Sequence, residues 1–93
     1  MSNKDEIISL LKMICNTNRL EIINLLLRQS KEEVCVSQIA AAVGISQSLA
    51  SHQLAYLEAR GVVVSSRSGQ TICYELSNAQ ITKKVLKVIK SLN

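Results

Sequence analysis

The sequence predicts an α+β fold, mainly α, with elements in the order α-α-α-α-β-β-α. Three observations carry this. Apolar residues recur at helical spacing in five stretches divided by capping and turn residues. Val62-Val63-Val64-Ser65-Ser66-Arg67 and Thr71-Ile72-Cys73-Tyr74-Glu75-Leu76 are rich in strand formers, and Ser68-Gly69 between them is a turn signal. Two of the helical stretches, Ser37–Val43 and Ser46–Leu57, hinge at Gly44 and stand directly before that hairpin. A helix-turn-helix followed at once by a hairpin is a winged-helix arrangement.

The first helix is expected over about 4–15. Ile7, Ile8, Leu10, Leu11, Ile14 and Cys15 form an apolar arc too wide for one buried face, so this helix should pack on two surfaces. Asn16 or Thr17 can cap the second helix, about 17–29, which carries Leu20, Ile22, Ile23, Leu25, Leu26 and Leu27 and should be central to the core. Gln29 to Glu33 reads as a polar loop and Glu33-Val34-Cys35-Val36 as a short extended piece. Ser37 is the expected cap of the third helix, with Ile39, Ala40 and Val43 inward. Gly44 supplies the tight turn, since glycine tolerates positive φ. Ser46 caps the fourth helix, about 47–60, with Leu49, Ala50, Leu54 and Leu57 as its buried set. Gly61 closes it as a C′ glycine. The last helix, about 78–92, sets Ile81, Val85, Val88 and Leu92 on one face and Lys83, Lys87 and Lys90 opposite.

Ninety-three residues correspond to a single domain, 1–93: helix-turn-helix about 37–60, wing about 62–76, flanking helices about 4–15 and 78–92. Hydrophobic residues make up 47% of the chain, yet it has no Trp, Phe or Pro, so the core must be aliphatic. A surplus of aliphatic side chains in a domain this small points to a homodimer through the first and last helices. The apolar runs are too short to span a membrane, and no signal-peptide layout opens the chain, so a cytoplasmic address is expected with no membrane partner. The three cysteines, Cys15, Cys35 and Cys73, are an odd number at wide spacing, which argues for reduced thiols over a disulfide framework. A net charge of +4 suits a polyanionic partner, but much of the excess lies in the last helix.

The fourth helix carries the functional expectation. Gln47, Ser48, Ser51 and His52 fall on its outer face, short or amide-bearing groups able to bond base edges in a major groove. A side chain such as Gln can bond adenine in a bidentate manner. Arg67 and Gln70 at the wing tip are the expected backbone or minor-groove contacts. The reading is therefore a sequence-specific DNA-binding transcription regulator acting on double-stranded operator DNA. The competing reading is a winged-helix module that binds protein.

Several segments together are similar to one family. Leu11-Lys12 with Asn16-Thr17-Asn18-Arg19-Leu20 resembles the LK…DPTRL signature of the ArsR/SmtB regulators, with Asn16 for Asp and Thr17 for Pro. Glu33 to Ala40 resembles their ELCVxxLA stretch, and Ser46 to Leu54 their SQSxxSxHL reading helix. Gly61-Val62-Val63 and Arg67 to Tyr74 resemble GLV and the RxGxxxxY wing. The resemblance covers nearly the whole chain and implies a homodimeric repressor released from its operator by an inducer.

The family's soft-metal sites begin with a CxC at Cys35, but here Ser37 replaces the second thiol and Ala40 the third, leaving one ligand. Such a site needs three or four thiolate or imidazole donors. The family's other site uses Asp and His on the last helix, and residues 78–92 contain no Asp, Glu or His. No metal or cofactor is therefore expected, a soft ion at Cys35 being the alternative. Related regulators sense persulfide or oxidant through a thiol near this position; here Cys35 with Cys15 is the pairing to consider, and Cys73 in the hairpin should be remote. The other reading is that no small inducer acts and the cysteines are small buried hydrophobes. No enzymatic constellation is present. Ser51 and His52 are adjacent on a helix, so their side chains diverge by about 100° and cannot act as nucleophile and base.

Overall fold

The computed structural model describes residues 3–29 and 32–92. Helices α1 (Asn3–Ile14) and α2 (Thr17–Arg28) lead to a two-residue strand β1 (Val34–Cys35), then α3 (Val36–Val43), α4 (Gln47–Ala59), β2 (Val63–Ser68), β3 (Thr71–Leu76) and α5 (Gln80–Leu92). Residues 30 and 31 of the expected polar loop lie outside the described residues. Among the described residues no helix is long and apolar enough to cross a membrane.

The helix boundaries follow local chemistry. Asn16 caps α2, its Oδ1 accepting from the Arg19 N–H at 3.0 Å, and Ser46 caps α4, its Oγ accepting from the Leu49 N–H at 3.1 Å. Each satisfies one of the orphan donors of a first turn. Gly44 closes α3 at φ +80°, where its N–H and that of Ile45 both reach the Ala40 carbonyl. Gly61, at φ +79°, closes α4 with paired bonds, Gly61 N–H to Glu58 O and Val62 N–H to Leu57 O. That is the Schellman arrangement, and it turns the chain straight into β2.

Three expectations are corrected here. Helix α3 begins at Val36, with Cys35 and not Ser37 at its N-cap; the Cys35 N–H donates to Gln38 Oε1 at 3.0 Å. Val36 thus leaves the extended piece for the helix. The sheet has three strands, not two, in the antiparallel order β1-β3-β2. The pairs Val34↔Tyr74 and Cys35↔Cys73 anchor β1 along the inner edge of the hairpin. In α5 the buried residues are Thr82, Val85 and Ile89, while Leu92 is 78% exposed, so the inward stripe is turned from the one expected.

The core is aliphatic, as composition required. Ile22, Ile23 and Leu26 of α2 meet Ile39 of α3, Leu54 and Leu57 of α4 and Val62 and Val63 at the start of the wing. Val85 and Ile89 close it from α5. Thr82, the buried polar residue of that helix, is satisfied by the Val62 carbonyl at 3.2 Å and by Ser77. Helix α1 buries Leu10 and Met13 and packs the partly buried Ile14 against the core; its Ile7, Ile8 and Leu11 remain exposed. One of its two predicted packing surfaces is therefore filled within the chain.

Candidate nucleic-acid interface

Helix α4 divides cleanly around its circumference. Ala50, Gln53, Leu54 and Leu57 are buried, and Leu49 is partly so. Gln47, Ser48, Ser51, His52 and Ala55 are exposed. At 100° per residue, the exposed group spans an arc of about 140° and the buried group lies opposite. Over its first two turns the exposed arc has no charged side chain and no large apolar one; Glu58, near the C-terminal end of the helix, lies on the same side and is its charged residue. Those first turns offer amide, hydroxyl and imidazole groups, which both donate and accept hydrogen bonds.

The inner side of α4 is held by a group the sequence reading did not single out. Gln53 is a polar residue only 8% exposed. Its Oε1 accepts from Arg19 Nη1 at 2.9 Å. Two further bonds of the same guanidinium run to α1: Nε to the Met13 carbonyl and Nη2 to the Lys12 carbonyl, both 2.9 Å. These carbonyls lie in the last turn of α1, where helical partners are lacking and cations are favoured. Arg19 also lies over the Tyr56 ring, 4.0 Å from its centroid, and Arg60 lies over the same ring at 3.4 Å. No local signal marks this contact, because Arg19 and Gln53 stand 34 residues apart.

The wing is a two-residue turn, Gly69-Gln70, closed by the pair Ser68↔Thr71. Arg67 opposes Ile72, and both Arg67 and Gln70 are exposed. Behind the tip, Tyr74 is buried on β3, and burial raises its phenol above the ordinary value, with the Glu58 carboxylate adding to the shift. Ser65, opposite Tyr74, donates to Glu58, which ties β2 to α4.

The cysteines are arranged otherwise than expected. Cys35 and Cys73 face each other across β1 and β3 and are joined in a disulfide. Cys73 is not remote, and not all thiols are reduced. Antiparallel pairing puts the two side chains on one face of the sheet, a juxtaposition that spacing along the chain cannot show. Cys15 is free and exposed, so the partner considered for Cys35 is replaced. Among the described residues no three His, Cys, Asp or Glu side chains gather as a metal site.

Residues 16–65 match the bacterial regulatory proteins of the arsR family. The transcriptional activator HlyU of Vibrio cholerae is 31% identical over 90 residues, spanning 97% of this chain and 80% of that protein. The solved structure of HlyU superposes with a TM-score of 0.77 at 28% identity, covering 96% of this chain and 94% of the other. A fragment of a possible ArsR-family regulator from Mycobacterium bovis, described as a homodimeric winged helix-turn-helix DNA-binding domain, gives 0.77 at 26% identity and covers 99% and 87%. Fold, helix-turn-helix and whole-chain likeness agree: the chain belongs to the ArsR family of bacterial regulatory proteins and is a winged-helix transcription regulator.

Proposed function

We propose that this chain is a homodimeric repressor that binds double-stranded operator DNA in the cytoplasm. The carrying observation is the exposed arc of α4. Gln47, Ser48, Ser51 and His52 stand outward while Leu54 and Leu57 fix the opposite side in the core. In this reading α4 enters the major groove and the four residues bond base edges. Arg67 and Gln70 reach the sugar-phosphate backbone or the adjoining minor groove.

The dimer follows from unfilled surface. Ile7, Ile8 and Leu11 on α1 and Leu92 on α5 are exposed large apolar residues, and Lys84 of α5 pairs with Glu6 of α1 beside them. A second copy packed on this face sets two reading helices about one helical turn of DNA apart. An inducer would act by changing the spacing or mobility of those helices.

A gel shift on DNA upstream of the chain's own gene tests the reading. The parent chain retards that fragment. Ser51→Ala/His52→Ala weakens binding by roughly tenfold or more, as expected for losing one or two base contacts. Unchanged affinity in that variant would move the contact off α4. A chain that retards no DNA but captures a protein partner would favour the interaction module.

The Cys35–Cys73 bond favours thiol sensing as the regulatory arm. Oxidation joins the two thiols, releasing two protons and passing two electrons to a peroxide or a disulfide; a dithiol reverses it. The bond ties the N-cap of α3 to the wing, so its state bears on both parts of the DNA-binding unit. DNA affinity that is the same with and without dithiol reductant would discard this arm.

A further inference from the structure

We propose that Arg19 is a positioning residue that transmits the placement of α1 to the reading helix α4. The inference rests on the DNA-reading role given to α4 above and goes beyond it, since Arg19 faces away from the exposed arc.

One guanidinium makes three hydrogen bonds to two helices other than its own. On one side it fastens the Lys12 and Met13 carbonyls at the end of α1. On the other it holds Gln53, buried on the inner side of α4, and lies over Tyr56 one turn along. Around the axis of α4, Gln53 stands about 100° from His52 and about 160° from Ser51, so its tether fixes the rotation of the helix about its own axis. Rotation sets where Ser51 and His52 point.

The linkage reaches the proposed dimer face in a single helix. Ile7, Ile8 and Leu11 precede the two fastened carbonyls by less than two turns. A shift of α1 against its twofold mate therefore pulls on Arg19, and Arg19 pulls on α4. A planar fork with five donors is suited to this; a lysine ammonium is a single point charge on a flexible stem. Arg60, over the other contact of the Tyr56 ring, belongs to α4's own C-cap and holds the Tyr56 carbonyl at 3.2 Å, so it stiffens the same turn without reaching α1.

The test compares the full chain with Arg19→Lys, Gln53→Met and the double variant. Arg19→Lys keeps the charge, so any loss in DNA affinity is not lost attraction for phosphate. Gln53→Met keeps the volume and removes the acceptor, and it tests the link from α4 should the Arg19 variant fold poorly. Three quantities are read: affinity for the upstream DNA fragment, the dimer dissociation constant by sedimentation, and hydrogen exchange along α4 in the free protein. The expected result is a loss of roughly tenfold in DNA affinity for each single variant, with no further loss in the double. Amides over Ser51–Leu57 exchange faster, while the dimer constant and exchange in the sheet stay as in the parent. A merely structural arginine would loosen sheet and α2 together with α4. Parent-like affinity and α4 exchange in both single variants, or fully additive losses in the double, would overturn the relay and leave the DNA reading standing. A parent chain that retards no DNA overturns both.

Discussion

At the scale of single residues, the structure depends on polar groups placed where the apolar pattern would not put them. Gln53 interrupts the leucine side of α4 and is accommodated because Arg19 satisfies it; unpaired, a buried amide costs about 1–3 kcal/mol. Tyr74 is a second case. Burial, aided by Glu58, raises its phenol above the ordinary value of 10.0. The folded chain therefore keeps that proton to higher pH than the unfolded chain does. Up to the ordinary tyrosine value both states are protonated and Tyr74 adds no pH dependence. Above it the unfolded state loses its proton first, and stability falls until the folded phenol also ionises. In Tyr74→Phe this component is absent, so urea midpoints between pH 9 and 11 should fall less steeply than in the parent. Lysine titrations are common to both proteins and cancel. Parallel curves would mean that Tyr74 ionises alike in the two states.

At the scale of elements, the same contrast between local and distant causes separates what the sequence reveals from what it hides. Asn16, Gly44, Ser46 and Gly61 act on backbone groups within four residues, and the boundaries of α2 and α4 and the sharp exits of α3 and α4 were legible from them. The exposed arc of α4 was legible too, because helical periodicity alone assigns Gln47, Ser48, Ser51 and His52 to one side. The start of α3 was not: Ser37 is the better capping residue by type, but pairing of Val34 and Cys35 with β3 stops the extended backbone at Cys35 and begins the helix one residue earlier. That pairing joins segments nearly forty residues apart, and no local signal records it. The disulfide is its direct result and yields a prediction. Under oxidising conditions, with denaturant added, one thiol should react with iodoacetamide, that of Cys15; after reduction, three should. Closing so long a loop restricts the unfolded chain, so the oxidised protein should be more stable by about 2–4 kcal/mol in urea melts. Cys73→Ser should abolish the difference. Three reactive thiols before reduction would show that the cross-strand bond does not form.

At the scale of the whole molecule, the domain is unfinished on one side. The core is closed around α2, α3 and α4, but α1 leaves Ile7 57%, Ile8 43% and Leu11 45% exposed, and Leu92 of α5 is more exposed still. Such side chains on two neighbouring helices gain most from a second copy, and a twofold contact uses the same patch on both partners. Charge tests this more sharply than truncation. In Ile8→Glu/Leu11→Glu each added carboxylate lies on solvent-facing surface in the isolated chain, so the fold and its urea midpoint at low concentration should be kept. Across a twofold axis the same carboxylates face their own copies in a desolvated contact, where like charges are costly. Dimer dissociation should rise by about a hundredfold or more, on the order of 3 kcal/mol. DNA retardation should weaken with it, because two half-sites are then bound by two separate chains and the gain in effective concentration is lost. The order of the two effects is decisive. If the charged variant remains a dimer at micromolar concentration, α1 is not the contact, and the linkage through Arg19 has no moving part to transmit. If it is a monomer that binds a single half-site as weakly as the parent binds one, the helices read DNA independently and the twofold frame alone supplies operator selectivity.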